Sequence, residues 1–375
     1  MSQEVAIIGA GIGGLTLALY LQRQGIRPVI YESAATLEPL GAGIMMAYNA
    51  MQVFEDLGLA ALIEAAGNRV LGIDIADQQE KHITATALDQ ADLQKGIYNV
   101  AIHRAKLQEI LAEAVGMEHI QLSRRLTSIR EGEKTNLIFE GGHQAHCDVL
   151  FGADGIRSVV RQHIAPGSSL RDTGQVCWRG ICAHQFPELK TDLGVELWGN
   201  GDRFGYVVLN TQQAYWYAVS KSKYAPGPQI PERILSFNPL ARQFIAATPA
   251  AKIIYSPLAD LAPLAHWHSH NICLIGDAAH ATTPNMGQGG CQAIEDAYTI
   301  GKLLERGHPL QATFPLLQQI RTKKVNKIVQ QSRLLGRLSQ LENKYAASLR
   351  NFALRLTAAT VARKQLNFLI DIHYI

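Results

Sequence analysis

Short apolar runs alternate along the chain with longer stretches whose apolar residues recur at helical spacing. Val5-Ala6-Ile7-Ile8 predicts a strand, a glycine-rich turn follows it, and 13–24 predicts a helix. Pro28-Val29-Ile30-Tyr31 reads as a second strand. A glycine-containing loop follows at Gly41-Ala42-Gly43-Ile44, a helix after His103-Arg104, a small set of hairpins at 125–146 and a buried strand at 147–152. Residues 173–257 have a different texture: Trp178, Val195, Leu197, Trp198, Tyr206, Val207, Val208, Tyr215, Trp216 and Tyr217 fall in short runs broken by turns such as Gly199-Asn200-Gly201-Asp202, as strands do. Asn271 to Ile275 returns to a buried strand, and long helices fill most of 289–370. The pattern predicts a discontinuous α/β domain made of 1–70, 98–172 and 258–310. A mainly β insertion takes 71–97 and 173–257, and helices take 311–375.

The turn after the first strand carries the first chemistry. In Gly9-Ala10-Gly11-Ile12-Gly13-Gly14 the chain turns sharply at Gly9, leaves room for phosphate oxygens at Gly11 and packs helix on strand at Gly14. The helix that follows aims its free N–H groups and positive dipole end at a pyrophosphate. Glu32, with Ser33 beside it, ends the next strand about twenty residues on, where an acid hydrogen-bonds an adenosine ribose. Downstream, Leu274-Ile275-Gly276-Asp277-Ala278-Ala279-His280 continues to Pro284-Asn285-Met286-Gly287-Gln288-Gly289-Gly290. This stretch offers a carboxylate and a second helix N-terminus for the far end of the same dinucleotide. Together the two stretches point to FAD.

Composition agrees with a soluble enzyme. The 375 residues are 47% hydrophobic and 18% charged, enough for a large core and two domains. The apolar run 5–21 contains several glycines and has Glu4 but no basic residue before it, so it is read as strand and helix and the chain as cytoplasmic. Cys147, Cys177, Cys182, Cys273 and Cys291 form no CxxC pair and read as buried thiols. The net charge of +3 is unevenly spread: from Arg321 to the end there are eleven Lys and Arg against two acids, Glu342 and Asp371. Leu349, Phe352, Ala353 and Leu356 fall at helical spacing in that tail, with Arg350 and Arg355 beside them. The preferred reading is a helix docked on its own protein with a solvated basic face. A helix lying on an anionic membrane is the alternative, stable membrane insertion is not expected, and nucleic-acid binding lacks the interleaved aromatics it would need.

A third motif, Phe151-Gly152-Ala153-Asp154-Gly155-Ile156-Arg157-Ser158, completes an ordered set. With all three in this order and spacing, almost the whole chain resembles the single-component FAD-dependent aromatic hydroxylases. Within them it is most similar to the urate hydroxylase and zeaxanthin-epoxidase-like enzymes, because the Gly-Asp motif runs on through Thr282-Thr283-Pro284 to Gly287-Gln288-Gly289-Gly290-Cys291. The resemblance implies a Rossmann-like FAD-binding domain of the GR2 type with an inserted β substrate domain and a helical C-terminus. It also implies that Arg104 contacts the FAD phosphate or ribityl region, Asp277 the ribityl hydroxyls and Leu126, through its backbone, the adenine. Asp154 and Arg157 then support FAD and a transient NADH or NADPH. Pro284 and Gly287 to Gly290 present backbone to the flavin, where a helix N-terminus suits the charge of the reduced ring.

The chemistry implied is reduction of FAD by NAD(P)H, reaction with O2 to a C4a-hydroperoxyflavin, and transfer of one oxygen atom to an electron-rich small molecule. Arg203 and Tyr215, on the inserted sheet, correspond in approximate alignment to polar substrate-site positions of urate hydroxylases. No metal is implied: His266-Trp267-His268-Ser269-His270 has no carboxylate or cysteine partner nearby and reads as a solvated approach to the next strand. His280 is expected to pack or hydrogen-bond within its loop, and burial of Cys291 argues against a reactive thiol. A second GxGxxG, the mark of a dedicated nicotinamide domain, is absent from the sequence. Two alternatives stay open: an FAD oxidase or dehydrogenase, and a flavin-free binding module of the GDP-dissociation-inhibitor type. Substrate identity, NADH or NADPH preference and oligomeric state are not specified.

Overall fold

The structure is a computed structural model describing residues 3–37, 42–183, 189–356 and 359–373; Gly41 of the second glycine loop and residues 357–358 of the tail lie outside these. A five-stranded parallel sheet forms the centre, in the spatial order Ile272–Leu274, Val149–Gly152, Val5–Ile8, Val29–Tyr31, Ile120–Gln121. Its inner strands are continuous apolar runs, and Ile7, Ile30, Leu150, Phe151 and Cys273 are fully buried. Helices cover such a sheet on both faces, which removes the need for alternation. Ile12–Arg23, Arg104–Val115 and Gly289–Glu305 do so here. Leu126–Arg130, Thr135–Phe139 and Gln144–Cys147 form an antiparallel three-stranded sheet.

A second large sheet has seven strands, ordered Ile254–Leu261, Leu170–Ala183, Gln213–Lys221, Arg203–Asn210, Leu193–Trp198, Gly72–Asp77 and His82–Ala87. It is antiparallel except where Leu193–Trp198 runs parallel to Gly72–Asp77. Trp178, Phe204, Trp216 and Phe244 pack its own core. Between the sheets lie Gly43–Met46, Asn99–His103 and Asn68–Val70, and Gly43 leaves no more than the space of a hydrogen against Tyr215, whose Cβ would stand 2.5 Å from an added methyl.

The C-terminal helices Thr313–Ser339, Lys344–Arg355 and Ala359–Ile370 correct the expectation of a solvated basic face. Arg321 is fully buried, Lys324 nearly so, and both pair with Glu295. Arg350 is buried, donates to the carbonyls of Leu338 (2.9 Å) and Ser339 (3.2 Å), and lies 4.9 Å over the Trp198 ring. Arg363 clasps the Asp92 carboxylate. The tail docks in part through its cations, because Arg321, Lys324, Arg350 and Arg363 find carbonyls, carboxylates and an aromatic face; Lys344 and Arg355 stay exposed, and Leu349, Phe352 and Leu356 point away.

Candidate active site

Glycines build the first wall of the site. Gly9 adopts φ +107°, and a Cβ there would stand 2.5 Å from the Ala153 carbonyl oxygen. A Cβ at Gly14 would stand 2.1 Å from the Gly9 oxygen, and one at Gly13 would stand 2.8 Å from the Ala293 Cβ. At Gly11, by contrast, an added Cβ meets no atom within 4 Å: that side of the turn is open cavity. Gly11 caps the helix Ile12–Arg23 with no side-chain hydrogen bond, so the first-turn N–H groups keep their capacity for an anion. Glu32 braces the turn from the next strand, accepting from the Ala10 N–H and the Ala34 N–H, each at 2.8 Å, and from the Ser33 hydroxyl at 3.1 Å. Gln108 donates to the Ala10 carbonyl at 2.7 Å from the opposite side.

The second wall turns on Asp296. Its Oδ2 accepts from the Gly276 N–H at 2.9 Å and from His280 Nε2 at 2.6 Å, and its Oδ1 accepts from Arg321 Nε at 2.8 Å. Burial acts to raise the Asp296 pKa, but His280 and Arg321 outweigh it and hold the carboxyl below its ordinary value. The grip fixes Gly276 at φ +57°, ψ −139°, a conformation open to glycine, and thereby presents Asp277 to the cavity. The Asp277 carboxyl is accessible and lines the cavity. Burial pushes its pKa up against the opposing pull of His280, Arg104 and Arg161. Such a carboxylate suits neutral hydroxyl donors. Gly287, at φ +63°, redirects the chain into the helix Gly289–Glu305, which again has no side-chain cap.

Of the residues singled out from sequence, Gly11, Gly13, Arg104, Arg203, Tyr215, Asp277, Pro284, Gly287, Gly289 and Gly290 line one cavity of about 410 Å³. The others lie behind it or away from it. Gly9, Gly14, Glu32 and Ser33 shape or brace the turn. Gln288 turns its side chain into a buried network, accepting from Asn49 and Gln292 at 3.0 Å each. Leu126 is a core residue paired with Phe139. Asp154 caps the helix Val159–Ile164 by accepting from the Val159 (2.7 Å) and Val160 (3.1 Å) N–H groups, and Arg157 is exposed nearby. Arg161 joins the Asp-Gly motif to the Gly-Asp motif by donating to the carbonyls of Ile156 (2.7 Å) and Ala278 (3.3 Å).

The opposite end of the same cavity is the face of the seven-stranded sheet. Arg203 is 1% exposed, pairs with Glu196 at 3.1 Å and donates to Asn285 of the Pro284–Met286 turn. Glu196 also accepts from Trp198 Nε1 at 2.7 Å and from the Tyr217 hydroxyl. Burial pushes both Tyr215 and Tyr217 upward, so both phenols keep their protons at neutral pH. Arg179 stands on the same wall, with its Nη2 on Ser256. Glu196, Tyr217, Asn285 and Arg179 were not found from sequence. The available signals were an acid inside the apolar run Val195-Glu196-Leu197-Trp198 and a Tyr two residues beyond Tyr215, on the same face of its strand.

Among the described residues no group of His, Cys, Asp and Glu is arranged to hold a metal. His268 bridges Cys273 beside the buried Trp267. All five cysteines are buried and free, and burial lifts the Cys291 thiol to about 12. No helix among the described residues is long and apolar enough to cross a membrane.

An open pyrophosphate turn, a cavity-facing carboxylate and an uncapped helix N-terminus fit FAD, and comparison with known proteins agrees. The chain is 34% identical to the aurachin C monooxygenase/isomerase of Stigmatella aurantiaca, over 95% of this chain and 94% of that one. It is 31% identical to the 2-heptyl-3-hydroxy-4(1H)-quinolone synthase of Pseudomonas aeruginosa strain UCBPP-PA14, over 96% of each. The fold superposes on Klebsiella pneumoniae HpxO complexed with FAD and uric acid with a TM-score of 0.88, at 23% identity, covering 98% of this chain and 97% of that one. The FAD binding domain family matches residues 2–318, and the chain belongs to that family as an FAD-dependent monooxygenase.

Proposed function

We propose that this protein consumes NADH or NADPH to place one oxygen atom from O2 on an electron-rich, ring-carbonyl heteroaromatic of the 4(1H)-quinolone class carrying an apolar substituent. The observation that carries the proposal is continuity: Gly11, Asp277 and Gly289 share one cavity with Arg203 and Tyr215, so cofactor and substrate meet without an intervening wall. The substrate class is supported by the quinolone synthase, similar over nearly its full length, and by the lining Ile73, Val195, Val207 and Val219, which suits an apolar ring and chain.

In this reading the N-terminus of Ile12–Arg23 holds the FAD pyrophosphate, with Glu32 and Ser33 at the adenosine end and the Leu126 backbone at the adenine. Arg104 serves the phosphate or ribityl region and Asp277 accepts from ribityl hydroxyls. The N-terminus of Gly289–Glu305, with Pro284, Gly287 and Gln288 before it, carries the flavin ring. Asp154 and Arg157 support FAD or the nicotinamide donor. When bound, FAD supplies the two-electron chemistry and the activation of O2 at its C4a. The chain's own residues exclude water, orient the ring and manage charge. Arg203, held rigid between Glu196 and Asn285, presents a fixed guanidinium on the wall. Tyr215, kept protonated by burial, is a donor for a ring oxygen.

The test is NAD(P)H oxidation by the FAD-loaded protein with 2-heptyl-4(1H)-quinolone, uric acid and 3-hydroxybenzoate, with product mass measured. Faster oxidation with the quinolone and a product heavier by one oxygen support the reading. Oxidation stimulated only by uric acid or 3-hydroxybenzoate overturns the substrate class, and peroxide formation without any nicotinamide overturns the monooxygenase assignment for this chain.

A further inference from the structure

The docked tail leaves an apolar stripe on the outside of the molecule. On the helix Lys344–Arg355 and the residue that follows it, Tyr345, Leu349, Phe352 and Leu356 are 74%, 68%, 58% and 67% exposed. Their spacing of four, three and four residues sets them within an arc of about 60° over roughly 16 Å of helix. Leu334 and Leu338, four apart on Thr313–Ser339, are exposed as well. Monomeric proteins scatter exposed leucines singly; a contiguous row on one helix face marks a surface that meets something else.

The helix cannot roll this row inward. Its opposite face is fixed by Ala347, which is buried, and by Arg350, which reaches the Leu338 and Ser339 carbonyls and covers Trp198. Arg355 adds a hydrogen bond of 3.0 Å to the His82 carbonyl. The charge beside the stripe is mostly of one sign, and the nearest acid in sequence, Glu342, is held by Lys221 and Lys223. Residues 343–370 contain five Lys and Arg and no acid. Lys344 and Arg355 are exposed on one flank of the stripe, and Arg337 is exposed next to Leu338. A two-fold pairing of this face with a second copy would bring like charges together across an apolar seam. An anionic lipid surface matches both parts: side chains of the stripe enter the acyl boundary while the flanking cations meet headgroup phosphates.

We propose that the outward face of the helix Lys344–Arg355, together with Leu334 and Leu338, docks this protein peripherally on anionic lipid bilayers, with Lys344, Arg355 and Arg337 as the headgroup contacts. The helix lies in the plane of the interface and does not cross it. Its inner face touches Trp198, which hydrogen-bonds the Glu196 of the cavity wall. The docked surface and the substrate chamber are therefore two sides of one packed unit.

The test is co-sedimentation of the FAD-loaded full chain with phosphatidylcholine vesicles with and without phosphatidylglycerol, alongside sedimentation equilibrium without lipid. Binding is expected to the phosphatidylglycerol vesicles, to weaken as salt rises, and to fall by about tenfold or more in Leu349→Ser/Phe352→Ser. Flavin content should be unchanged in that variant, and Leu62→Ser, an exposed leucine on Ala60–Ala66, should bind as the parent does. Absence of protein from the vesicle pellet overturns the proposal, as does equal binding by the double variant. A dimer in solution that the double variant dissociates overturns it in favour of a second copy of the chain.

Discussion

Two methyl groups do not fit between the helices Ile12–Arg23 and Gly289–Glu305, and Gly13→Ala puts a second one there. Its Cβ would stand 2.8 Å from the Ala293 Cβ, where carbon atoms in contact settle at about 3.5–4.0 Å. Neither methyl is able to rotate away, because each Cβ is fixed by its backbone, so the helices must part by roughly 1 Å. Overpacking of this kind costs about 1–3 kcal/mol. Alanine's better helix propensity returns up to about 1 kcal/mol, leaving a net loss of about 1–2 kcal/mol. The displaced N-termini wall the end of the cavity proposed above to hold FAD, so FAD content should drop in parallel. Ala293→Gly removes the opposing methyl at a cost of about 1 kcal/mol on its own. In Gly13→Ala/Ala293→Gly the clash is gone, and the double variant should be more stable than the sum of the two single losses by the overpacking term, about 1–3 kcal/mol. Urea denaturation and flavin absorbance of the four proteins measure both quantities. Strict additivity, or a Gly13→Ala protein with parental stability and full flavin, would refute the packing account.

Asp277→Ala should purify folded but with less FAD; full flavin occupancy would remove this carboxylate from the cofactor site. Tyr215→Phe and Arg203→Lys should retain flavin while a larger share of the NAD(P)H consumed ends as peroxide, measured as product per NAD(P)H with the true substrate. An unchanged ratio in both would make these residues structural. Arg363 holds the Asp92 carboxyl below its ordinary value, against the opposing effect of burial. That contribution is present at neutral pH and lost as pH falls from roughly 4, the unfolded carboxylate value, through the lower folded one. Protection of Ala359–Ile370 against hydrogen exchange, taken relative to the intrinsic rate at each pH, should therefore fall with acidification in the parent and be low already at neutral pH in Arg363→Ala. Equal protection in the two proteins would show that the pair does not hold the helix.

The glycine-lined end of the cavity was legible in the sequence because its constraints are local. Gly9, Gly11 and Gly14 answer to a single turn, and Gly276-Asp277 to another, so residue type and spacing carry the geometry. The end on the seven-stranded sheet depends on register and distance. Arg203 lies opposite Trp198, Glu196 two residues before it, and Asn285 arrives from a turn 82 positions away. No window of sequence contains that meeting. The tail shows a different limit. Its periodicity identified the helix, but charge counting led to a solvated basic face, whereas Arg321, Lys324 and Arg350 are received by carboxylates, carbonyls and an indole. A cation's burial depends on its partner, and the partner is not adjacent.

Arg321 also changes where the cofactor unit ends. The family match stops at residue 318, inside the helix Thr313–Ser339 and three positions short of the guanidinium that neutralises Glu295 and Asp296. A chain cut at that boundary would retain every glycine motif. It would also lose Arg321 and Lys324, the two cations on Glu295, and leave Asp296 with His280 alone; breaking a buried pair of this kind costs about 3–5 kcal/mol, comparable to the whole stability of a marginal domain. The Asp296 that lost its guanidinium is the one that clamps Gly276 and His280. A fragment that keeps the Gly276 clamp intact therefore has to extend through the long C-terminal helix, and a swap of that helix between relatives exchanges part of that clamp along with it.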